Sequence, residues 1–253
     1  MIGDIHGQID NLKLLCKRIF PLRKSDGGKD KLVLLGDYID RLPESHLVID
    51  FLIEAKKKYK DQLILLRGNH EQLLLDAIRP EKSSSVYRMW MANGGEETLR
   101  GYLERAGEKI DNPYTLPRFR IADFIPKEHL DFYNSLEYYH ETDSFIFVHA
   151  GCDPTSLLIN QDRHELMWDR ELFQIIVKEC VIPKIEPDWE KTLITGHNGN
   201  TAGEPLITKK FMMIDCSFKR KLLAIELNSM EAFEARKGKD RLVKVYLKDR
   251  IAV

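Results

Sequence analysis

The sequence predicts an α/β fold, and three observations carry that expectation. Leu32-Val33-Leu34-Leu35 and Leu63-Ile64-Leu65-Leu66 are short aliphatic runs that read as buried strands. Around them apolar residues recur at three- and four-residue steps, so strand and helix alternate in βαβ fashion. Phe145-Ile146-Phe147-Val148 and Thr192-Leu193-Ile194-Thr195 resume the strand pattern later, and each of these four runs is followed closely by a glycine and metal-capable side chains.

In chain order, Met1-Ile2 leaves almost no strand ahead of Gly3-Asp4, so further residues are expected upstream. Ile9, Leu12, Leu15, Cys16 and Ile19 mark an amphipathic helix that Pro21 and the loop Ser25-Asp26-Gly27-Gly28 end. Leu47, Phe51, Ala55 and Tyr59 mark a second helix, with Lys56, Lys57, Lys58 and Lys60 as its solvated face. A third, with Leu74 and Ile78 inward, stops near Pro80. From about 81 to 142 the alternation ceases. Trp90, Asn93-Gly94-Gly95, the spacing of Leu99, Leu103 and Ala106, and the prolines 113, 117 and 126 suggest a mainly helical insertion within a single domain spanning 1–253. This segment is either a lid over the strand ends or a structural helical layer. Met167-Trp168-Asp169-Arg170-Glu171 and a loop with Pro183 and Pro187 separate the two later strands. The last third reads as antiparallel strands at Phe211–Ile214, Leu222–Ile225 and Leu242–Val245, with polar turns at 216–221 and 228–241. Arg236 to Arg241 is expected to be an exposed turn.

Lys plus Arg number 39 and Asp plus Glu 40, giving a net charge of −1, so no overall basic field invites nucleic acid. Cys16, Cys152, Cys180 and Cys216 form no CxxC pair and no secretory signal precedes them. They read as reduced, mostly buried thiols of a cytoplasmic protein, and Cys152 is given no catalytic role. No apolar run approaches the roughly 20 residues that span a bilayer, so no membrane partner is expected. Composition leaves the oligomeric state open.

Five strand ends offer Asp4 and His6, Asp37 and Asp40, Asn69 and His70, His149, and His197. One histidine after a strand is ordinarily structural, and His46, His129, His140 and His164 are assigned that role. Five such ends point instead to a two-metal site with Asp37 shared between the ions, since a carboxylate can offer one oxygen to each. Mixed oxygen and imidazole donors suit manganese, iron or zinc better than calcium; two manganese ions are the expected cofactor, with iron or zinc as alternatives. Two such ions lower the pKa of a bridging water, which removes the need for a protein nucleophile. A departing alkoxide still needs a proton from a histidine held by a carboxylate.

In order and separation, Gly3-Asp4-Ile5-His6-Gly7, Gly36-Asp37-Tyr38-Ile39-Asp40-Arg41, Gly68-Asn69-His70-Glu71, His149-Ala150-Gly151 and Gly196-His197 resemble the phosphoprotein phosphatase family of calcineurin-like metallophosphoesterases. The likeness is strongest to the small bacterial and phage-type Ser/Thr protein phosphatases. It implies two packed mixed β-sheets flanked by helices. It also implies that Asp4, His6 and Asp37 ligate one ion, and Asp37, Asn69, His149 and His197 the other. His70 would be the general acid, oriented by Asp40. Arg41 and Arg170 would grip the phosphate, Arginine's planar fork being suited to that, while Arg67 is left between phosphate binding and structure. The sequence departs from the family at Leu42-Pro43, where glycine usually follows the arginine, and at Asn198 and Cys216, where threonine is common; the turn beyond Arg41 is therefore expected to differ.

The expected function is a dimetal phosphoesterase that cleaves phosphate monoesters by in-line attack of metal-bound hydroxide. A Ser/Thr protein phosphatase or broad phosphomonoesterase comes first, and a symmetrical dinucleoside tetraphosphate hydrolase second. A catalytically silent binding module comes last, because Asp40 and His70 are both present.

Overall fold

The alternation of buried side chains along the strands divides the core of this computed structural model into three layers. It describes residues 1–25, 28–109, 112–181 and 187–247; Asp26-Gly27 and Pro183 lie outside the described residues. Leu32–Leu34 and Leu63–Leu65 pair in parallel. Ile2 bridges Leu34 on one side and Ala224 on the other. Through Ile2 the pair joins an antiparallel run of Lys221–Glu226, Glu231–Arg236 and Val243–Tyr246. The second sheet has the order Tyr139–Glu141, Phe145–Val148, Thr192–Thr195, Phe211–Met213, Leu206–Ile207.

Side chains two apart along a strand share a face. Leu32, Leu34, Leu63 and Leu65 pack against helix residues Leu12, Leu15, Val48, Leu52 and Leu74. Their neighbours Val33, Leu35, Ile64 and Leu66 instead meet Phe147, Ile194 and Met212 between the two sheets. On the far face of the second sheet, Ile146, Val148, Leu193 and Phe211 are covered by Leu158, Leu166 and Ile176. The result is a mixed two-sheet sandwich with helical layers outside, as a helix or sheet with one apolar face requires.

The helices Ile9–Ile19, Ser45–Tyr59 and Asn69–Ala77 fall where the periodicity places them. Lys57, Lys58 and Lys60 are exposed; Lys56 is half-buried and donates to Leu63 O at 2.6 Å. Between Leu63–Leu65 and Tyr139–Glu141 in sequence come helices Ser84–Trp90, Glu96–Arg105 and Lys127–Ser135, joined by the wide turn Met91–Gly95, a single turn at Pro113–Thr115 and a seven-residue 3₁₀ helix at Arg118–Phe124.

Four expectations require correction. Tyr139–Glu141, at the end of the helical stretch, is an edge strand of the second sheet. Glu231–Arg236 is a strand within the span read as a polar turn, since its burial comes from Ala232, Glu234 and Ala235 rather than from strong strand formers. Phe211–Met213 runs parallel to Thr192–Thr195, and its antiparallel partner is the two-residue strand Leu206–Ile207, which is too short to leave a pattern. The polar turn expected at 216–221 closes sooner: Ser217–Lys219 forms a single turn and Lys221 already opens a strand. Cys16, Cys152 and Cys216 are free and buried.

Candidate metal centre and active site

Asp37 lies 2% or less from full burial at the point where the two sheets' strand ends converge, and its two carboxylate oxygens face different imidazoles. Oδ2 stands 3.5 Å from His6 Nε2 and 3.7 Å from His70 Nε2. Oδ1 stands 3.3 Å from His149 Nε2 and accepts the His70 amide at 3.1 Å. This close packing depends on Gly68, where a Cβ would fall 2.0 Å from Asp37 Oδ1. Burial alone would raise the Asp37 pKa, but the imidazoles of His149, His70 and His6 outweigh it and hold the carboxyl well below its usual range.

His6, Asp37 and His70 form one group of converging donor atoms, and Asp37, His149 and His197 a second; within each group the atoms lie within 4.8 Å of one another. Asn69 joins the second group, its Oδ1 lying 3.0 Å from both His149 Nε2 and His197 Nδ1. Asp4, expected as a ligand of the first ion, falls in neither group; its carboxylate accepts the His197 amide at 3.1 and 3.2 Å. Burial and the nearby Asp215 carboxylate, followed by Asp37, push the Asp4 pKa well above its ordinary value.

Hydrogen bonding fixes the tautomers, and the tautomers test whether cations fit. His6 Nδ1 donates to Ile39 O and His149 Nδ1 to Leu35 O, each at 2.8 Å, because a carbonyl can only accept. In the neutral rings the lone pairs therefore sit on Nε2. That of His6 has no hydrogen-bond partner although buried, and His197 Nε2 is likewise buried and unpartnered. His149 Nε2 faces the oxygens of Asn69 and Asp37 together, which a neutral ring cannot satisfy. Although burial opposes it, the Asp37 carboxylate raises the His149 pKa to about 10. Burial and the neighbouring His149 hold His197 far below its ordinary value. A divalent cation accepts lone pairs from imidazole and carboxylate alike, and backbone carbonyls behind ligating imidazoles are the customary outer support. The donor set fits such ions.

Beside this centre, His70 Nδ1 lies 2.6 Å from Asp40 Oδ2. Asp40 is fully buried, and Oδ1 accepts from Thr98 Oγ1 at 2.7 Å and Trp90 Nε1 at 3.1 Å. Burial disfavours the charged ring, but Asp37 and Asp40 together raise the His70 pKa above its ordinary value. Trp90 and Thr98 both come from the helical segment after Glu81. Trp90 stood out in the sequence without a role, and nothing local marked Thr98.

Arg41 and Arg170 are both exposed. The Arg41 amide donates to Gly94 O at 3.1 Å and its Nη1 to Ser217 Oγ at 3.4 Å. The turn after Arg41 is accommodated by Gly7, where a Cβ would come within 2.8 Å of Leu42 Cβ. The segment carrying Arg170 is tied to the centre by Asn198 Nδ2, which donates to Asp169 O at 3.1 Å. Arg67 is structural: it donates to Gln72 Oε1, the Tyr138 hydroxyl and the carbonyls of Tyr133 and Asn134. His129 is structural too, bonded to Tyr102 and Asp50, and His46 Nδ1 bonds Pro43 O. His164 stacks on Trp168, while His140 packs by Phe147 with a buried, unpartnered Nε2.

Sequence reasoning gave Glu71 no role, yet its fully buried carboxylate accepts the amides of Gly68, Asp37, Tyr38 and Ile39 at 2.7–3.3 Å. It pins two strand ends to one helix. Its place after Asn69-His70 was visible, but backbone amides of a distant loop leave no mark in a sequence. His6, Asp37, Asp40, Arg41 and His197 all have positive φ, from 44° to 71°, a region that side chains rarely adopt.

A sequence profile described as calcineurin-like phosphoesterase matches residues 1–217. Serine/threonine-protein phosphatase 1 of Salmonella typhimurium is 31% identical over 173 residues, covering 68% of each chain. The symmetrical bis(5'-nucleosyl)-tetraphosphatase of Pseudomonas fluorescens is 28% identical over 60% of this chain and 42% of its own. Among solved structures, a Saccharomyces cerevisiae protein serine/threonine phosphatase aligns with 96% of this chain and 77% of its own, at a TM-score of 0.53 and 16% identity. The cold-active protein-tyrosine phosphatase of a psychrophilic Shewanella aligns with 97% and 79%, at 0.54 and 16%, so both show the shared fold alone. No helix among the described residues is long and apolar enough to cross a membrane. The chain is thus a metallophosphoesterase that belongs to the calcineurin-like phosphoesterases and, within them, to the phosphoprotein phosphatase family.

Proposed function

We propose that this enzyme hydrolyses phosphate monoesters, with phosphoserine and phosphothreonine residues of proteins as its substrates. The observation that carries the reading is the division of the Asp37 carboxylate between two groups of imidazoles, with the His70–Asp40 pair alongside. The name of the Salmonella relative supports the protein substrate.

In this reading Asp4, His6 and Asp37 would hold one divalent ion, and Asp37, Asn69, His149 and His197 the other, with manganese preferred to iron or zinc. Bound there, the ions would supply Lewis acidity towards the phosphoryl oxygens and acidify a nearby water. His70 falls inside the first donor group. We assign it proton transfer nonetheless, because Nδ1 is already committed to Asp40 and its raised pKa suits a proton donor. His70 Nε2 gives a proton to the departing seryl oxygen as its bond to phosphorus breaks, while Asp40 keeps the ring in the required tautomer. Arg41 and Arg170 bind the non-bridging oxygens and orient the ester. The segment 81–142 serves as an insertion of one domain that supports the Asp40 side of the site. A cytoplasmic setting agrees with the free cysteines.

The second reading is a symmetrical dinucleoside tetraphosphatase, favoured by the likeness to the Pseudomonas enzyme. A panel decides between them. With manganese present, turnover of a phosphoserine peptide should exceed that of a phosphotyrosine peptide and of diadenosine tetraphosphate. Efficient cleavage of diadenosine tetraphosphate alone refutes the protein-phosphatase reading.

A further inference from the structure

Next to His6 a cavity of about 360 Å³ opens, walled by Gln8, Arg41, Leu42, Ser217, Phe218 and Arg220. Its lining charge is of one sign. Two guanidiniums border it, and neither Arg41 nor Arg220 pairs with a carboxylate among the described residues. Phe218 offers a flat apolar surface that is 59% exposed.

Arg220 also sits where an arginine is costly. Its φ of 51° lies in the left-handed region, which glycine or asparagine ordinarily fills. Such an outlier is a starting point for a functional hypothesis. The turn is held firmly. Ser217 N donates to Asp215 Oδ1 at 2.9 Å, Arg220 N to Ser217 O at 2.7 Å, and Asn11 Nδ2 to Arg220 O at 3.2 Å. Asp215 Oδ2 also accepts the Gly199 amide at 3.1 Å, two residues beyond His197, so the turn carrying Phe218 and Arg220 is tied to the loop that carries His197.

We propose that Phe218 and Arg220 form a leaving-group subsite that selects phosphopeptides with an acidic side chain beside the phosphorylated residue. This rests on the protein-phosphatase reading. With Arg41 engaged by the reacting phosphate, Arg220 is the cation left for a second anion. Phe218 and Leu42 provide contact for the methylenes of the acidic side chain. A basic neighbour would be repelled by the same charge, which makes the subsite a filter as well as a grip.

The test uses the full chain and three phosphoserine peptides that differ only in Glu, Gln or Lys beside the phosphoserine. The wild type should rank them Glu, Gln, Lys in kcat/KM, with Glu over Lys by about 10-fold at low salt and less at high salt. Arg220→Gly should bring that ratio close to 1, and glycine suits the left-handed position, so folding is retained. Arg220→Lys should keep most of the ratio. A ratio unchanged in Arg220→Gly overturns the proposal, as does an equal loss on all three peptides, which would mark a structural role. If the wild type cleaves all three without preference, the subsite falls and the phosphatase reading stands. If it cleaves none of them but cleaves diadenosine tetraphosphate, both fall.

Discussion

The Asp40 carboxylate joins two parts of the chain: Oδ2 meets His70 Nδ1 at 2.6 Å, while Oδ1 is held by Thr98 and Trp90 from a helical segment remote in sequence. Orientation of the proposed proton donor is thereby made to depend on residues that belong to neither group of donor atoms.

His70→Asn should lower kcat by roughly 10²- to 10⁴-fold on an alkyl phosphate, the range of general acid catalysis, while leaving bound metal in place. The loss should shrink on an activated aryl phosphate, whose leaving group needs no proton. Full retained activity on the alkyl ester would remove His70 from that role.

Trp90→Phe deletes one donor to a fully buried carboxylate, a loss worth about 1–3 kcal/mol. A fall in kcat of about 10-fold with KM held is expected, larger for alkyl than for aryl esters. A purely structural tryptophan would affect both ester classes alike.

Asp37→Asn takes charge from the carboxylate facing both donor groups. Elemental analysis of the purified variant should find a loss of bound divalent metal with the loss of activity. Wild-type metal content in that variant would exclude a shared ligand at this position.

Glu71→Gln exchanges an all-acceptor side chain for one with an NH₂ group, where four backbone amides require acceptors. A stability loss of about 1–3 kcal/mol or more follows, read as a lower melting temperature. An unchanged melt would mean that water or backbone shifts replace the carboxylate.

Burial holds the His129 pKa below its ordinary 6.5 despite the bond to Asp50. The unfolded chain then binds the proton more readily than the folded one, so this residue's contribution to stability falls as pH drops through about 6.5. His129→Gln should flatten the dependence of melting temperature on pH between about 7 and 5. A wild-type slope in the variant would shift the effect to other groups.

The strand ends carrying the site were legible because a strand buried on both faces reads as an uninterrupted aliphatic run, as in Leu32 to Leu35 and Leu63 to Leu66. Glu231–Arg236 was hidden by its composition, since Glu234 is buried among charged partners, Lys221 and Arg236. Asp37, His149 and His197 could be gathered from their motifs. The parts of Thr98, Glu71 and Asp215 could not, because each is defined by a backbone amide or side chain brought near only by folding.

The five left-handed residues of the site impose an opposition between durability and chemistry. Each costs on the order of 1 kcal/mol or more that glycine would relieve. Selection for heat resistance alone would therefore be drawn towards His6, Asp37, Asp40, Arg41 and His197, and the most robust descendants would be those disarmed first.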